Sequence, residues 1–163
     1  MLNLEEIGQK VTRMNIKVDN IPSTLLLDSC ASINIVGVDY LRFTLFKEAS
    51  EVYGNAVSIK GIGDNTSSAL GYIDLNLDIF GRIYKETFLV MRNPGLPGDI
   101  LLSMGGMGRC GLAIDFADRI IKSKHTGQEA AFILEEANVS ENRRHFPEIS
   151  IFLREKFFQI AIK

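Results

Sequence analysis

Apolar and polar residues alternate first at Met14, Ile16 and Val18, set between Arg13, Asn15, Lys17 and Asp19. A period of two predicts a strand with one face in the core and the other in water. Asp19-Asn20-Ile21-Pro22-Ser23 supplies turn residues, and the unbroken apolar run Leu25-Leu26-Leu27 then completes a hairpin that ends on Asp28. Ser32 to Val36 is again β-like, Asp39 to Phe43 suits a short helical turn, and residues 44–52 read as a polar loop. Val57, Ile59 and Ile62 restart a strand that runs into Gly61-Ile62-Gly63-Asp64-Asn65-Thr66-Ser67-Ser68-Ala69-Leu70-Gly71, whose glycines and small polar residues predict a hairpin tip. The cleanest strand follows, with Ile73, Leu75, Leu77 and Ile79 alternating with Asp74, Asn76 and Asp78. Phe80-Gly81-Arg82 turns the chain into the β-rich stretch Ile83 to Met91.

Asn93 to Gly98 is a loop on composition, and Asp99-Ile100-Leu101-Leu102-Ser103 a short buried strand. Leu112 to Phe116 and Arg119 to Lys122 are two further strands about Ala117-Asp118. Many short strands with glycine turns predict an all-β barrel or sandwich. Its ends differ in character. Residues 1–10 read as a tail, 11–123 as the β domain, and 124–147 as a charged linker with room for one helix. In 148–163, Ile149, Leu153, Phe157 and Ile160 fall at helical spacing among other apolar residues, so this segment is expected to pack on the domain or on a second chain.

With 163 residues, 46% of them hydrophobic, the chain suits one domain with a substantial core. Eighteen Lys and Arg against 20 Asp and Glu leave a formal charge of -2, which offers no basic field for nucleic acid. No run approaches the length of a membrane span, and the N-terminus lacks a basic segment followed by an apolar one. A soluble, cytoplasmic chain is expected, with Cys30 and Cys110 as free thiols.

Asp28 carries the candidate chemistry. A buried strand that ends in Asp-Ser sets a titratable group at the rim of an apolar core, where desolvation and neighbouring charges tune its proton affinity. An Asp in that place also serves simply to cap turn amides. Gly106-Met107-Gly108-Arg109-Cys110-Gly111 satisfies the dinucleotide fingerprint as a string. A strand-like run starts at once at Leu112, however, leaving no crossover helix to receive a pyrophosphate. Cys30, Cys110, His125 and His145 lack metal-ligand spacing, and no metal or other cofactor is expected. A Ser or Cys nucleophile at Ser29 or Cys30 would need His125 or His145, both in or beside the polar linker, as its base.

Leu26-Leu27-Asp28-Ser29-Cys30-Ala31 resembles the active-site segment of retroviral-type aspartic proteases, the retropepsins, in which apolar residues precede Asp, Ser or Thr, Gly, Ala. The resemblance runs from about Met14 to Lys122. It implies a closed β-barrel in which Ile59 to Ile79 is the flap hairpin, Ile100-Leu101-Leu102-Ser103 the late apolar element and Met104 to Gly111 one short helix. It further implies a homodimer, since one Asp-Ser-x-Ala segment per chain supplies half of a two-carboxylate site. Asp28 is then the catalytic residue, with Ser29, Cys30 and Ala31 supporting its loop. Gly61, Ile62, Gly63, Asp64 and Gly71 are flap residues that close over an extended peptide or polyprotein segment.

The sequence departs from that pattern in three places. Cys30 stands where the family has Gly, adding a Cβ and a sulfur at a crowded spot. Ser103 replaces the late glycine, and Gly105 stands near where many relatives carry a helix-bracing Asp or Asn. The competing reading is a retropepsin-fold dimer that has given up cleavage and serves as an assembly module.

Overall fold

The computed structural model describes residues 10–55, 57–60, 66–92 and 98–136. Eleven strands run along these residues: β1 (Lys10–Val18), β2 (Ile21–Asp28), β3 (Ile35–Gly37), β4 (Val57–Lys60), β5 (Thr66–Ile79) and β6 (Arg82–Met91) form the first group. The second group is β7 (Ile100–Ser103), β8 (Leu112–Asp115), β9 (Ile120–Ser123), β10 (Glu129–Ala131) and β11 (Ile133–Glu136). Two one-and-a-half-turn helices interrupt them, α1 (Val38–Phe43) and α2 (Met104–Arg109).

The large sheet has the order β11-β1-β2-β7-β3-β6-β5-β4. Pairing of β1 with β5, at Lys17 with Asp78 and Val18 with Leu77, closes six of its strands into a barrel. A second sheet, β10-β9-β8, lies beside it. The architecture is the all-β barrel expected from the strand pattern. Thr12, Met14, Ile16 and Val18 of β1 and Ile73, Leu75, Leu77 and Ile79 of β5 are buried, while the intervening residues face outward or lie half-buried. Asp19-Asn20 and Phe80-Gly81 all take left-handed backbone, the geometry of two-residue hairpin turns whose twist matches that of the flanking strands.

β2, β3, β6 and β7 meet through two parallel pairings, β2 with β7 and β3 with β6. Strands paired this way bury both faces, which explains why Leu25-Leu26-Leu27 and Ile100-Leu101-Leu102 are continuous apolar runs instead of alternating ones. Leu25, Leu27, Ile100 and Leu102 join the main core. Leu26 and Leu101 face the other way into a smaller cluster with Ala31, Ile35, Ala69, Leu89 and Met91.

One expectation is corrected here. Residues 129–136, placed by composition in a linker, form β10 and β11, held by main-chain pairing to β9 and to the outer edge of β1. The helical turn expected at Asp39 to Phe43 is α1, with Tyr40 and Leu41 buried. The tail at residues 1–9, the hairpin tip at 61–65 and the apolar segment 148–163 lie outside the described residues. Among the described residues no helix is long and apolar enough to cross a membrane.

Candidate active site

β2 carries Asp28 to the end of the barrel, where its Cα pairs with that of Ser103 at the end of β7. The side chain is half-buried. Its Oδ1 accepts the Cys30 amide at 2.9 Å, an Asx-type turn that fixes the carboxylate over the loop. The Ala31 amide donates to the Asp28 carbonyl at 3.2 Å, and Met104 N donates to the Ala31 carbonyl at 3.1 Å, tying the loop to the start of α2. Ala31 is buried in the smaller apolar cluster, whereas Ser29 and Cys30 face outward. Cys30 is not among the residues with left-handed backbone, so within one chain its place does not demand glycine.

Beneath this loop lies a buried polar chain that the sequence pattern did not point to. Asn34 is 2% exposed, and its Oδ1 accepts both the Ser103 amide at 2.9 Å and the Ser103 hydroxyl at 2.8 Å. Asn34 Nδ2 donates to Glu86 Oε2 and to the Thr87 carbonyl, each at 3.0 Å. Glu86, 5% exposed, in turn receives Arg109 of α2 through Nε at 3.0 and 3.1 Å and through a terminal nitrogen at 2.8 Å. The pair holds the Arg109 pKa above its ordinary value, chiefly through the hydrogen bonds that Arg109 donates to Glu86, against the opposing cost of partial burial. Four segments are thereby pinned under Asp28 by bonds that satisfy each buried polar group.

Ser103 is thus built into the site. Besides bonding Asn34, its Oγ accepts the Gly106 amide at 3.1 Å and caps α2. Gly106 must lack a side chain, since a Cβ there would stand 2.5 Å from Leu102 Cδ1 and 2.6 Å from Asn34 Oδ1. Gly111 takes the left-handed conformation just past the helix end. Gly106 and Gly111 of the apparent dinucleotide fingerprint therefore serve packing and capping of a six-residue helix.

The remaining sequence candidates are dispersed. Gly61, Ile62, Gly63 and Asp64 lie outside the described residues. The strands on either side, β4 and β5, are paired from Val57 with Ala69 to Lys60 with Thr66. Gly71 sits inside β5 at a bulge, buried, where any Cβ would overlap the Tyr53 carbonyl. That close approach permits the two hydrogen bonds between Tyr53 and Tyr72. His125 shares a hydrogen bond of 2.9 Å with the Tyr84 hydroxyl and stacks on that ring, and no bond joins it to Ser29 or Cys30. His145 is outside the described residues. Among the described residues no three His, Cys, Asp or Glu side chains gather as a metal site.

No protein family's sequence profile matches the chain, and no curated protein matches it significantly. Solved structures do. The retroviral protease-like domain of Ddi1 from Leishmania major superposes with a TM-score of 0.57 at 12% identity, over 76% of this chain and 94% of that domain. The chain has the retropepsin fold. EIAV protease complexed with the inhibitor HBY-793 aligns at 17% identity over 71% of this chain and 99% of its own, with a TM-score of 0.48. A retropepsin-like aspartic protease from Rickettsia conorii aligns at 21% identity over 63% and 75%, with a TM-score of 0.47. At such identities the likeness concerns the fold, and the chemistry of this retropepsin-like chain has to be argued from its own site.

The two thiols differ sharply in environment. Cys110 is buried, and desolvation, reinforced by the nearby Glu86 charge, pushes its pKa up to about 12, while Cys30 is exposed. Since the thiolate is the reactive form, a disulfide reagent at neutral pH is expected to modify Cys30 alone in dilute native protein. Cys110 should react only after unfolding. Two fast equivalents by absorbance or mass would show that Cys110 is not buried in the native core.

Proposed function

We propose that two copies of this chain pair about a twofold axis to form an aspartic endopeptidase whose two catalytic carboxylates are the Asp28 of each subunit. One observation carries the reading: in a retropepsin-fold chain, Asp28 stands half-buried and loop-anchored at the end of β2, after the fully buried Leu25-Leu26-Leu27. Two carboxyl groups at hydrogen-bonding distance cannot both ionise, so the pair holds one proton and a water between them. The ionised Asp28 takes a proton from that water as its oxygen bonds the scissile carbonyl carbon. The protonated one donates to the carbonyl oxygen, giving a tetrahedral diol. Collapse of the diol with proton transfer to the amide nitrogen breaks the peptide bond.

The other parts take supporting roles in this reading. Ser29 hydrogen-bonds across the twofold axis, and Cys30 and Ala31 complete the loop. The hairpin of β4 and β5, with Gly61, Ile62, Gly63, Asp64 and Gly71, pairs with an extended peptide or polyprotein segment and excludes water. The apolar cluster of Leu26, Ala31, Ile35, Leu89 and Leu101 lies beside Asp28 and suits the floor of such a groove. Segment 148–163 contributes to the subunit interface. The reaction needs no cofactor, and the enzyme works as a soluble cytoplasmic dimer.

Incubation of the purified chain with a denatured-protein peptide library between acidic and neutral pH tests the proposal, with new termini read by mass spectrometry and assembly by sedimentation. New termini that vanish in Asp28→Asn are the expected result. A strictly monomeric species at tens of micromolar removes the two-carboxylate mechanism. A dimer that cleaves nothing leaves the assembly module.

A further inference from the structure

The face of β5 and β6 opposite the cluster beside Asp28 holds an unassigned cavity. Ala69, Leu89 and Met91 point towards that cluster, and Leu70 and Val90 point the other way. Over Leu70 and Val90 lie α1 and the chain that follows it to Val52, enclosing about 640 Å³. Leu41, Val52, Leu70 and Val90 give it apolar walls, and Asp28 does not line it.

Its rim is cationic. Arg42, Lys47 and Arg92 line it against one acid, Glu48. Lys47 is already committed, to Asp19 at 3.0 Å and Glu51 at 3.2 Å. Among the described residues neither Arg42 nor Arg92 has a carboxylate partner, and Arg42 instead stacks over the Phe43 ring at 5.3 Å. Phe43 and Phe46, in the same segment, are 68% and 77% exposed. Phe46 also holds left-handed backbone, at φ 54°, a conformation that a bulky residue rarely adopts. Two exposed aromatic rings beside an apolar cavity with two uncommitted guanidinium groups are the anatomy of a docking surface.

We propose that this cavity docks an acidic linear peptide segment, with an aliphatic side chain between Leu41, Val52, Leu70 and Val90 and flanking carboxylates on Arg42 and Arg92. Phe43 and Phe46 are exposed outside the cavity lining but within the segment that supplies Arg42 and Lys47, which favours a chain over a small molecule held in the pocket. Planar guanidinium groups suit carboxylates through paired hydrogen bonds. The site is independent of the cleavage chemistry and of subunit pairing.

The test titrates the isotopically labelled full chain with the peptide Glu-Asp-Leu-Leu-Asp-Glu, following amide shifts and the anisotropy of a fluorescent version. Shifts confined to residues 38–52, Leu70, Val90 and Arg92 are expected. Peptides with Gln and Asn for the acids, or Ser for the leucines, should bind at least about tenfold more weakly, as should the parent peptide to R42E/R92E. Equal binding of the uncharged peptide overturns the proposal, as do shifts centred on Asp28 or Leu26. Binding to phosphatidylserine vesicles without peptide binding overturns it in favour of a membrane surface. Should R42E/R92E fail to fold, the peptide comparisons on the unaltered chain still decide.

Discussion

Asp28→Asn is expected to lower turnover by about 10²- to 10⁴-fold, the usual contribution of a positioned acid–base group, and to do so dominantly. Each dyad draws one carboxylate from each chain. In an equal mixture of exchanging chains only about a quarter of the dimers keep both, so the wild-type chains lose about half their activity to their partners. A large excess of the Asn chain should silence them. A site contained in one chain, such as Cys30 or Ser29 with a histidine base, would instead hold activity proportional to the wild-type chain. Turnover of one peptide against mixing ratio separates the two. Linear dependence would rule out the shared dyad even if Asp28→Asn itself were inactive. The geometry already weighs against the single-chain site, since His125 is engaged with Tyr84.

Elements with one buried face could be read from residue order alone. Met14, Ile16 and Val18, and likewise Ile73 to Ile79, alternate because the barrel wall admits every second side chain. The apolar runs at 25–27 and 100–102 were legible for the opposite reason, being covered on both faces. β10 and β11 carry no such mark. Glu129-Ala130-Ala131 is exposed, half-buried and exposed in turn, and its strand state comes from the edge of β9, a partner that no local pattern announces. Tertiary pairing there overrides weak propensity.

The site divides in the same way. Asp28 was visible because a strand of β-formers ends on it. The chain of Asn34, Glu86 and Arg109 was not, although parity along β6 holds a clue. Glu86 shares a face with Phe88 and Val90, which are buried, whereas Lys85 and Thr87 face out. A carboxylate on the inward face of a strand calls for a cation, and Arg109 sits within the glycine run that had drawn attention for another reason. Ser103 looked like the loss of a glycine. Its hydroxyl proves to be bonded on both sides, so it does not by itself count against an ordered active-site loop.

Arg109→Ala is expected to destabilise the fold by about 3 kcal/mol, more than Glu86→Leu at about 1 kcal/mol, although Arg109 is the more exposed partner. The asymmetry follows from what each change leaves behind. Without Arg109 a carboxylate stays buried among β6, β7 and α2 with Asn34 as its remaining side-chain donor. Without Glu86 the guanidinium, 61% exposed, turns to water, and Asn34 Nδ2 keeps the Thr87 carbonyl. Glu86→Leu combined with Arg109→Ala should therefore recover much of the loss of Arg109→Ala alone, because no buried charge remains. Urea denaturation of the three variants measures this coupling. Additive effects would show that the pair does not act as one unit. Because Ser103 links this chain to the loop of Asp28, Glu86→Leu/Arg109→Ala should still lower turnover even as it recovers stability, since Asn34 then holds Ser103 without its own anchor on Glu86. Full activity in that double variant would mean that Asn34 and Ser103 suffice to hold the loop.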